Sequence, residues 1–292
     1  MDQANRLRNL MENKKVDSSY IFNNRLITIT SGKGGVGKSN FTLNLAISLS
    51  QIDKKVVIID ADFGMANIEV LYGAAPKKSL LNLLRGENSI SEIITEGPNG
   101  ISIISGGSGL TELAALNVKQ VEFLIQTFAF LDAHYDFILM DTGAGASHQV
   151  INLVKASKET IIVTTPEPTA LTDAYTMIKI LKNLEFIPNM FIVINRVEND
   201  KEGEDIYHKL NRVSQKFLGL DLRLLGYIPD DDAMVKSIRK QKPIVLEQPK
   251  ATSAKAINAI AKEIASVDNP LFSNDNKESS NFINRFIRMF SK

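Results

Sequence analysis

The stretch that most limits what this chain can fold into is Gly32-Lys33-Gly34-Gly35-Val36-Gly37-Lys38-Ser39, between an apolar run, Leu26 to Thr30, and a segment with apolar residues three and four apart, Phe41 to Leu49. Gly32, Gly37, Lys38 and Ser39 fit G-x-x-x-x-G-K-[ST] in the setting that motif needs, after a strand and before a helix. Glycines let successive backbone N–H groups turn inward around an anion, and a helix beginning near Gly37 adds the positive end of its dipole. Lys38 is then placed to reach β and γ phosphates, and Ser39 to ligate Mg²⁺. The stretch from Gly32 through Asn40 is predicted to wrap a nucleoside triphosphate.

Six further short apolar runs follow: Val56 to Asp60, Ile101 to Ile104, Phe137 to Asp141, Thr160 to Thr164, Met190 to Asn195 and Leu222 to Tyr227. Helical periodicity separates several of them, over Val118 to Leu131, Ala170 to Leu184 and Ile206 to Phe217. Buried strands alternating with helices predict an α/β chain, a three-layer, doubly wound and mostly parallel sheet with helices on both faces. Ligands bind such sheets at the carboxyl ends of the strands. With 292 residues and 44% hydrophobic content, one generous core is expected. The predicted organisation is a polar segment over 1–22, the main domain over 23–267, a linker over 268–280 and a terminal helix over 281–292.

A formal charge of +1 gives no bulk attraction to nucleic acid, so none is expected as a partner. Zero Cys excludes disulfides, thiolate catalysis and iron–sulfur ligation by the chain's own cysteines. Neither a signal peptide nor 18 uninterrupted apolar residues can be found, so a cytoplasmic protein with at most peripheral membrane attachment is expected.

Two more strand ends carry acid. Asp60 and Asp62 close the run Val56-Val57-Ile58-Ile59, and Asp141 ends Phe137-Ile138-Leu139-Met140, followed by Gly143 and Gly145. An apolar strand ending in Asp about a hundred residues after a phosphate loop is the pattern of a carboxylate that holds Mg²⁺ directly or through water. Asn195 ends another strand, and its amide suits a purine edge. Pro229-Asp230-Asp231-Asp232 follows the last strand, where an acidic N-cap for a helix over Ala233 to Arg239 is an equally available use. His134, His148 and His208 show no metal-ligand spacing.

The string Lys33 to Ser39 resembles the deviant phosphate loop of the MinD/ParA family of ATPases. That resemblance implies ATP and Mg²⁺ as ligands and a homodimer in the ATP-bound state. It implies that Lys33 reaches across the two-fold axis to phosphates held by the other subunit, as an arginine finger does. Lys33, Lys38 and Asp62 would then be catalytic, with Asp62 orienting or deprotonating the attacking water. Ser39, Asp60 and Asp141 would hold the metal, and Asn195, Arg196, Pro229, Asp230 and Asp231 would surround adenine.

Asp2-Gln3-Ala4-Asn5-Arg6-Leu7-Arg8 at one end and the Phe-rich stretch Asn281 to Lys292 at the other resemble one branch of that family, the flagellar-number regulators called FlhG, FleN or YlxH. Asp2, Gln3, Ala4, Leu7 and Arg8 match a D-Q-A-x-x-L-R pattern, which in that branch activates FlhF, an SRP-type GTPase; flagellar C-ring or switch components are further implied partners. At the other end Phe282, Ile283, Phe286, Ile287, Met289 and Phe290 fall within about 160° of a helix, with basic and polar residues opposite. No acidic residue occurs from Asn281 onward. This is the make-up of an interfacial lipid anchor. The implied function is a Mg-ATP-dependent, dimerising, membrane-associated ATPase governing flagellar number or placement; the competing expectations are a partition or division-site ATPase and a nucleotide-binding module that scarcely turns over.

Overall fold

Short runs of β-branched and aliphatic residues become strands here because a pleated strand can bury alternate side chains against helices on opposite sides. The structure, a computed structural model, describes residues 25–62, 68–76, 78–107, 118–157, 159–184 and 189–266. Its strands are β1 (Arg25–Thr30), β2 (Val56–Ala61), β3 (Ile94–Glu96), β4 (Ser102–Ser105), β5 (Phe137–Thr142), β6 (Glu159–Thr164), β7 (Asn189–Val197) and β8 (Arg223–Pro229). They form one sheet of eight strands in the order β3-β4-β2-β5-β1-β6-β7-β8. Every neighbouring pair is parallel except β3 with β4. The seven predicted strands are all present, and β3 is an addition at the edge.

The helices are α1 (Lys38–Ser50), α2 (Ile68–Leu71), α3 (Leu80–Leu84), α4 (Ile90–Ile93), α5 (Val118–His134), α6 (His148–Ala156), α7 (Pro168–Lys182), α8 (Asp200–Leu218), α9 (Asp232–Arg239), α10 (Ile244–Glu247) and α11 (Thr252–Ser266). Strand residues sort by parity into two cores. Ile27, Ile29, Ile58, Leu139, Ile161 and Val193 face α1, α10 and α11 on one side. On the other, Val57, Ile59, Ile138 and Met140 meet α3 and α5, while Ile162, Ile192 and Ile194 meet α6, α7 and α8. Helix, sheet and helix make the three layers expected from the sequence.

α1 is wrapped almost completely, with ten of its 13 residues buried. It therefore holds the loop that precedes it at a fixed height above β1, the central strand. The amino-terminal edge of the sheet is tied to α11 by Arg25. Its Nε donates to Glu159 Oε1 at 3.0 Å, Nη2 donates to Glu159 Oε2, and Nη1 donates to the Ile264 carbonyl. No helix among the described residues is long and apolar enough to cross a membrane.

Candidate functional site

The loop from β1 to α1 places its glycines where side chains cannot go. Gly37 takes φ 90° at the helix start, the left-handed region that favours glycine. At Gly32 an added Cβ would stand 2.3 Å from the Asp173 carbonyl carbon and 2.7 Å from the Ala174 nitrogen, so the loop and α7 meet backbone to backbone. Gly32→Ala is expected to force them apart, costing about 1–3 kcal/mol as overpacking does, and to weaken ATP binding. Thermal unfolding and calorimetric titration with ATP check this; an alanine variant that melts and binds like the parent would show room that this packing denies.

Past the loop, polar side chains converge on Asp141, which is completely buried. Lys38 Nζ lies 3.0 Å from its Oδ1, Ser39 Oγ donates to its Oδ2 at 2.6 Å, and Thr42 Oγ1 donates to its Oδ1 at 2.7 Å. Lys38 Nζ also reaches Ser39 Oγ at 3.3 Å. An ammonium has three donors, so two uses inside the cluster leave one for a phosphate oxygen. Because Ser39 sends its proton to Asp141 and takes up one lone pair with Lys38, its other lone pair is left for a hard cation, and Mg²⁺ takes oxygen ligands of this kind. Asp141 thereby orients Ser39 and suits outer-sphere support of the ion. The donor set fits Mg²⁺ bound with a nucleotide. Thr42 was not among the predicted residues, although its place one turn after Lys38 puts it on the same helix face.

Asp60 lies inside β2, opposite Asp141 in the pairing of β2 with β5. Its Oδ1 accepts from the Asp62 N–H at 3.1 Å and its Oδ2 from the Ile68 N–H at 3.2 Å. One buried carboxylate thus accepts from the backbone at both Asp62 and Ile68. Asp62 leans toward the second glycine turn, for a Cβ on Gly143 would lie 3.6 Å from its Oδ1. That turn is itself fastened to the phosphate loop by Gly145 N–H to the Ser31 carbonyl at 2.8 Å. A cavity of about 770 Å³ opens between them, lined by Gly34 to Asn40, Asp62, Val70, Leu71, Gly143, Ala144, Ser147 and Gln149. Phosphate donors, Asp62 and the second glycine turn thus share one space.

Lys33 falls between Ser31 and Gly34, which line the cavity, without lining it itself, and its side chain is 38% exposed. Its ammonium donates to Glu167 Oε2 at 2.9 Å and to Thr169 Oγ1 at 2.8 Å, both at the start of α7. The hydrogen bond from Lys33 and its charge hold the Glu167 carboxyl below the usual carboxylate range, with Arg196 adding a smaller pull. In the single protomer the lysine is therefore held by its own chain. Nothing local in the sequence signals this contact, which spans 134 residues.

The residues expected around adenine lie at the ends of neighbouring strands, outside the lining of that cavity. Asn195 Nδ2 donates to the Val36 carbonyl at 2.8 Å and so braces the phosphate loop. Arg196 adopts φ 60°. Asp231 serves as the N-cap of α9, accepting from Ala233 N–H at 2.8 Å, and its other oxygen accepts from Thr252 Oγ1 and Ser253 Oγ, each at 2.9 Å. These bonds outweigh burial and hold its pKa down. Asp2, Gln3, Ala4, Leu7 and Arg8, and Phe282, Ile283, Phe286, Ile287, Met289 and Phe290, lie outside the described residues.

Comparison with known proteins follows the same lines. The ParA family model, described as NUBPL iron-transfer P-loop NTPase, matches residues 23–265; with no Cys in the chain, thiolate ligation of iron is not available to it. The antiactivator FleN of Pseudomonas aeruginosa is 33% identical over 264 residues, covering 90% of this chain and 94% of FleN. The flagellum site-determining protein YlxH of Helicobacter pylori is 37% identical over 264 residues, 89% of each chain. Among solved structures, the septum site-determining protein MinD of Pyrococcus horikoshii complexed with Mg-ADP superposes with a TM-score of 0.66 at 26% identity, covering 83% of this chain and 96% of MinD.

Proposed function

This chain belongs to the ParA/MinD family of P-loop ATPases, and we propose that within it the protein is a flagellar-number switch that dimerises with ATP, docks on membrane and stimulates an FlhF-type GTPase. It is an ATPase that uses ATP and Mg²⁺. The observation that carries the switch reading is Lys33: an exposed cation beside a phosphate pocket that already has its own Lys38. Beyond its resting contacts with Glu167 and Thr169, a second cation there can serve the charge that develops on the γ phosphate during transfer, and a partner subunit can present it.

Magnesium, when bound, neutralises charge on the β and γ oxygens, and Ser39, with Asp141 and Asp60 behind it, would hold it. The chain's other residues do the rest. Gly34 to Gly37 offer N–H donors to the phosphates, and Lys38 adds its free donor. Asp62 orients the water that attacks the γ phosphorus and accepts its proton as the bond to ADP breaks. Lys33 leaves Glu167 and Thr169 to stabilise the transferring group in the neighbouring protomer.

The FleN and YlxH likeness supports flagellar number as the process governed. Residues 1–22 would fold on the GTPase partner, and residues 281–292 would enter the lipid interface. One such anchor binds weakly; two on a dimer gain by effective concentration. The full chain is expected to accelerate GTP hydrolysis by FlhF, and Gln3→Ala to remove that acceleration while its own ATPase persists. A GTPase assay in which the chain has no effect on FlhF would reject the partner assignment.

A further inference from the structure

The solvent face of α8 carries apolar surface that the core does not use. Phe217 is 65% exposed and Val213 38%, and residues four apart on a helix are neighbours. At 3.6 residues per turn Lys209, Arg212, Val213, Lys216 and Phe217 fall within about 140° of one side, and all five are exposed. Lys216 Nζ stands 5.2 Å from the centre of the Phe217 ring. Cations in a last turn are expected, because the carboxyl end of a helix is negative. A phenylalanine mostly in water among them is not explained by that. Asp221, on the connection that follows, is taken up by the amides of Asn211 at 2.9 Å and Gln215 at 2.8 Å.

Topology says what else is at this end. α8 leaves the carboxyl end of β7 and delivers the chain to the first residue of β8, so Phe217 lies at the amino-terminal edge of the sheet, opposite the phosphate loop. α11 ends there too: Glu263 pairs with Arg223, the first residue of β8, at 3.0 Å, and the Ile264 carbonyl accepts from Arg25, the first residue of β1. Residues 267–292 continue from this edge, and their last twelve again combine Phe with basic residues, with three Phe, Arg285, Arg288 and Lys292; they carry no acid, whereas the arc on α8 also holds the exposed Asp205 one turn before Lys209.

We propose that the Val213–Phe217 face of α8 is a second lipid contact, borne by the ATPase core. Phe217 and Val213 enter the headgroup layer of an anionic leaflet, and Lys209, Arg212 and Lys216 pair with lipid phosphates. The apolar centre favours a bilayer over duplex DNA, whose backbone offers such side chains nothing to enter. The contact turns the strands' amino ends toward the bilayer and leaves the nucleotide pocket facing the cytosol. This inference rests on the membrane-docking reading above.

The test is sedimentation of the full chain with ATP on vesicles of phosphatidylcholine with and without phosphatidylglycerol. On anionic vesicles, the pair Val213→Ser and Phe217→Ser, and separately the set Lys209→Gln, Arg212→Gln and Lys216→Gln, are expected to reduce retention about tenfold or more, since each basic residue near such a surface is worth roughly fivefold. The chain lacking 281–292 should keep a weak, salt-sensitive retention that the Val213/Phe217 pair removes. If both α8 variants bind like the parent while removal of 281–292 abolishes retention, the α8 contact is wrong and terminal anchoring stands. Absence of retention by the parent on either vesicle overturns both. ATP-dependent retention of duplex DNA that the three glutamines remove, with vesicle binding unchanged, would give the face to nucleic acid and overturn it as well.

Discussion

Replacing Lys33 by alanine is expected to abolish ATP-dependent self-association and to lower turnover by about 10³-fold, the lower range for a cation supplied in trans to a transferring phosphoryl group. Affinity for Mg-ATP should change little, because Gly34 to Gly37, Lys38 and Ser39 are left intact. Light scattering with ATP, steady-state hydrolysis and a binding titration separate these outcomes. The companion change is Glu167→Gln. It removes the charge that holds Lys33 on its own protomer at 2.9 Å, so dimers should form at lower ATP. Acidity should act in the same direction. The folded carboxyl of Glu167 is held below its ordinary range, so the latch is complete above the ordinary carboxylate pKa and opens as pH falls through the lowered value. A Lys33→Ala protein that pairs and turns over like the parent would end the switch reading.

Asp141→Ala should be the most damaging single change to the resting protein. Lys38 and Asp141 are 8% and 0% exposed, and removing one member of a buried pair costs about 3–5 kcal/mol because the other charge is left without compensation. For a domain of this size that is a fall in melting temperature of roughly 10 °C. The Ser39 hydroxyl loses its acceptor at the same time, while Thr42 keeps the Lys38 carbonyl at 3.0 Å, so the dependence of hydrolysis on Mg²⁺ should weaken sharply. Adding Lys38→Met to Asp141→Ala removes the stranded ammonium; stability should return while activity does not. Thermal unfolding without nucleotide decides the matter, and a single variant melting within a degree or two of the parent would contradict the buried pairing.

The layers and the phosphate pocket were legible because their determinants are local. A strand buried on both faces reads as a nearly continuous apolar run, as Val56 to Ile59 and Phe137 to Met140 do, and a phosphate loop must place Gly32, Gly37, Lys38 and Ser39 at fixed spacing. β3 escaped because Ile94, Thr95 and Glu96 are short, incompletely buried and at an edge, with too little apolar sequence to announce a strand. α6 and α11 also went unmarked among the predicted helices, though α11 buries Ile257, Ile260 and Ile264 at helical spacing. The hidden parts of the site are pairings across long stretches of chain: Lys33 with Glu167, Asn195 with Val36, Asp231 with Thr252 and Ser253. Asp231 shows the limit well. Acid before a helix admits a cap or a ligand contact, and only the fold brings Thr252 and Ser253 to its second oxygen.

The close approach at Gly32 has a mechanical consequence. With backbone against backbone at Asp173 and Ala174, there is no side chain in that joint to change rotamer and absorb movement. A shift of a few tenths of an ångström where the phosphates sit is handed on undamped to α7, the helix whose first turn grips Lys33. If Lys33 is the cation offered to a neighbouring protomer, as proposed above, occupancy of the pocket and release of that lysine are two ends of one lever, and its fulcrum is the missing methyl group.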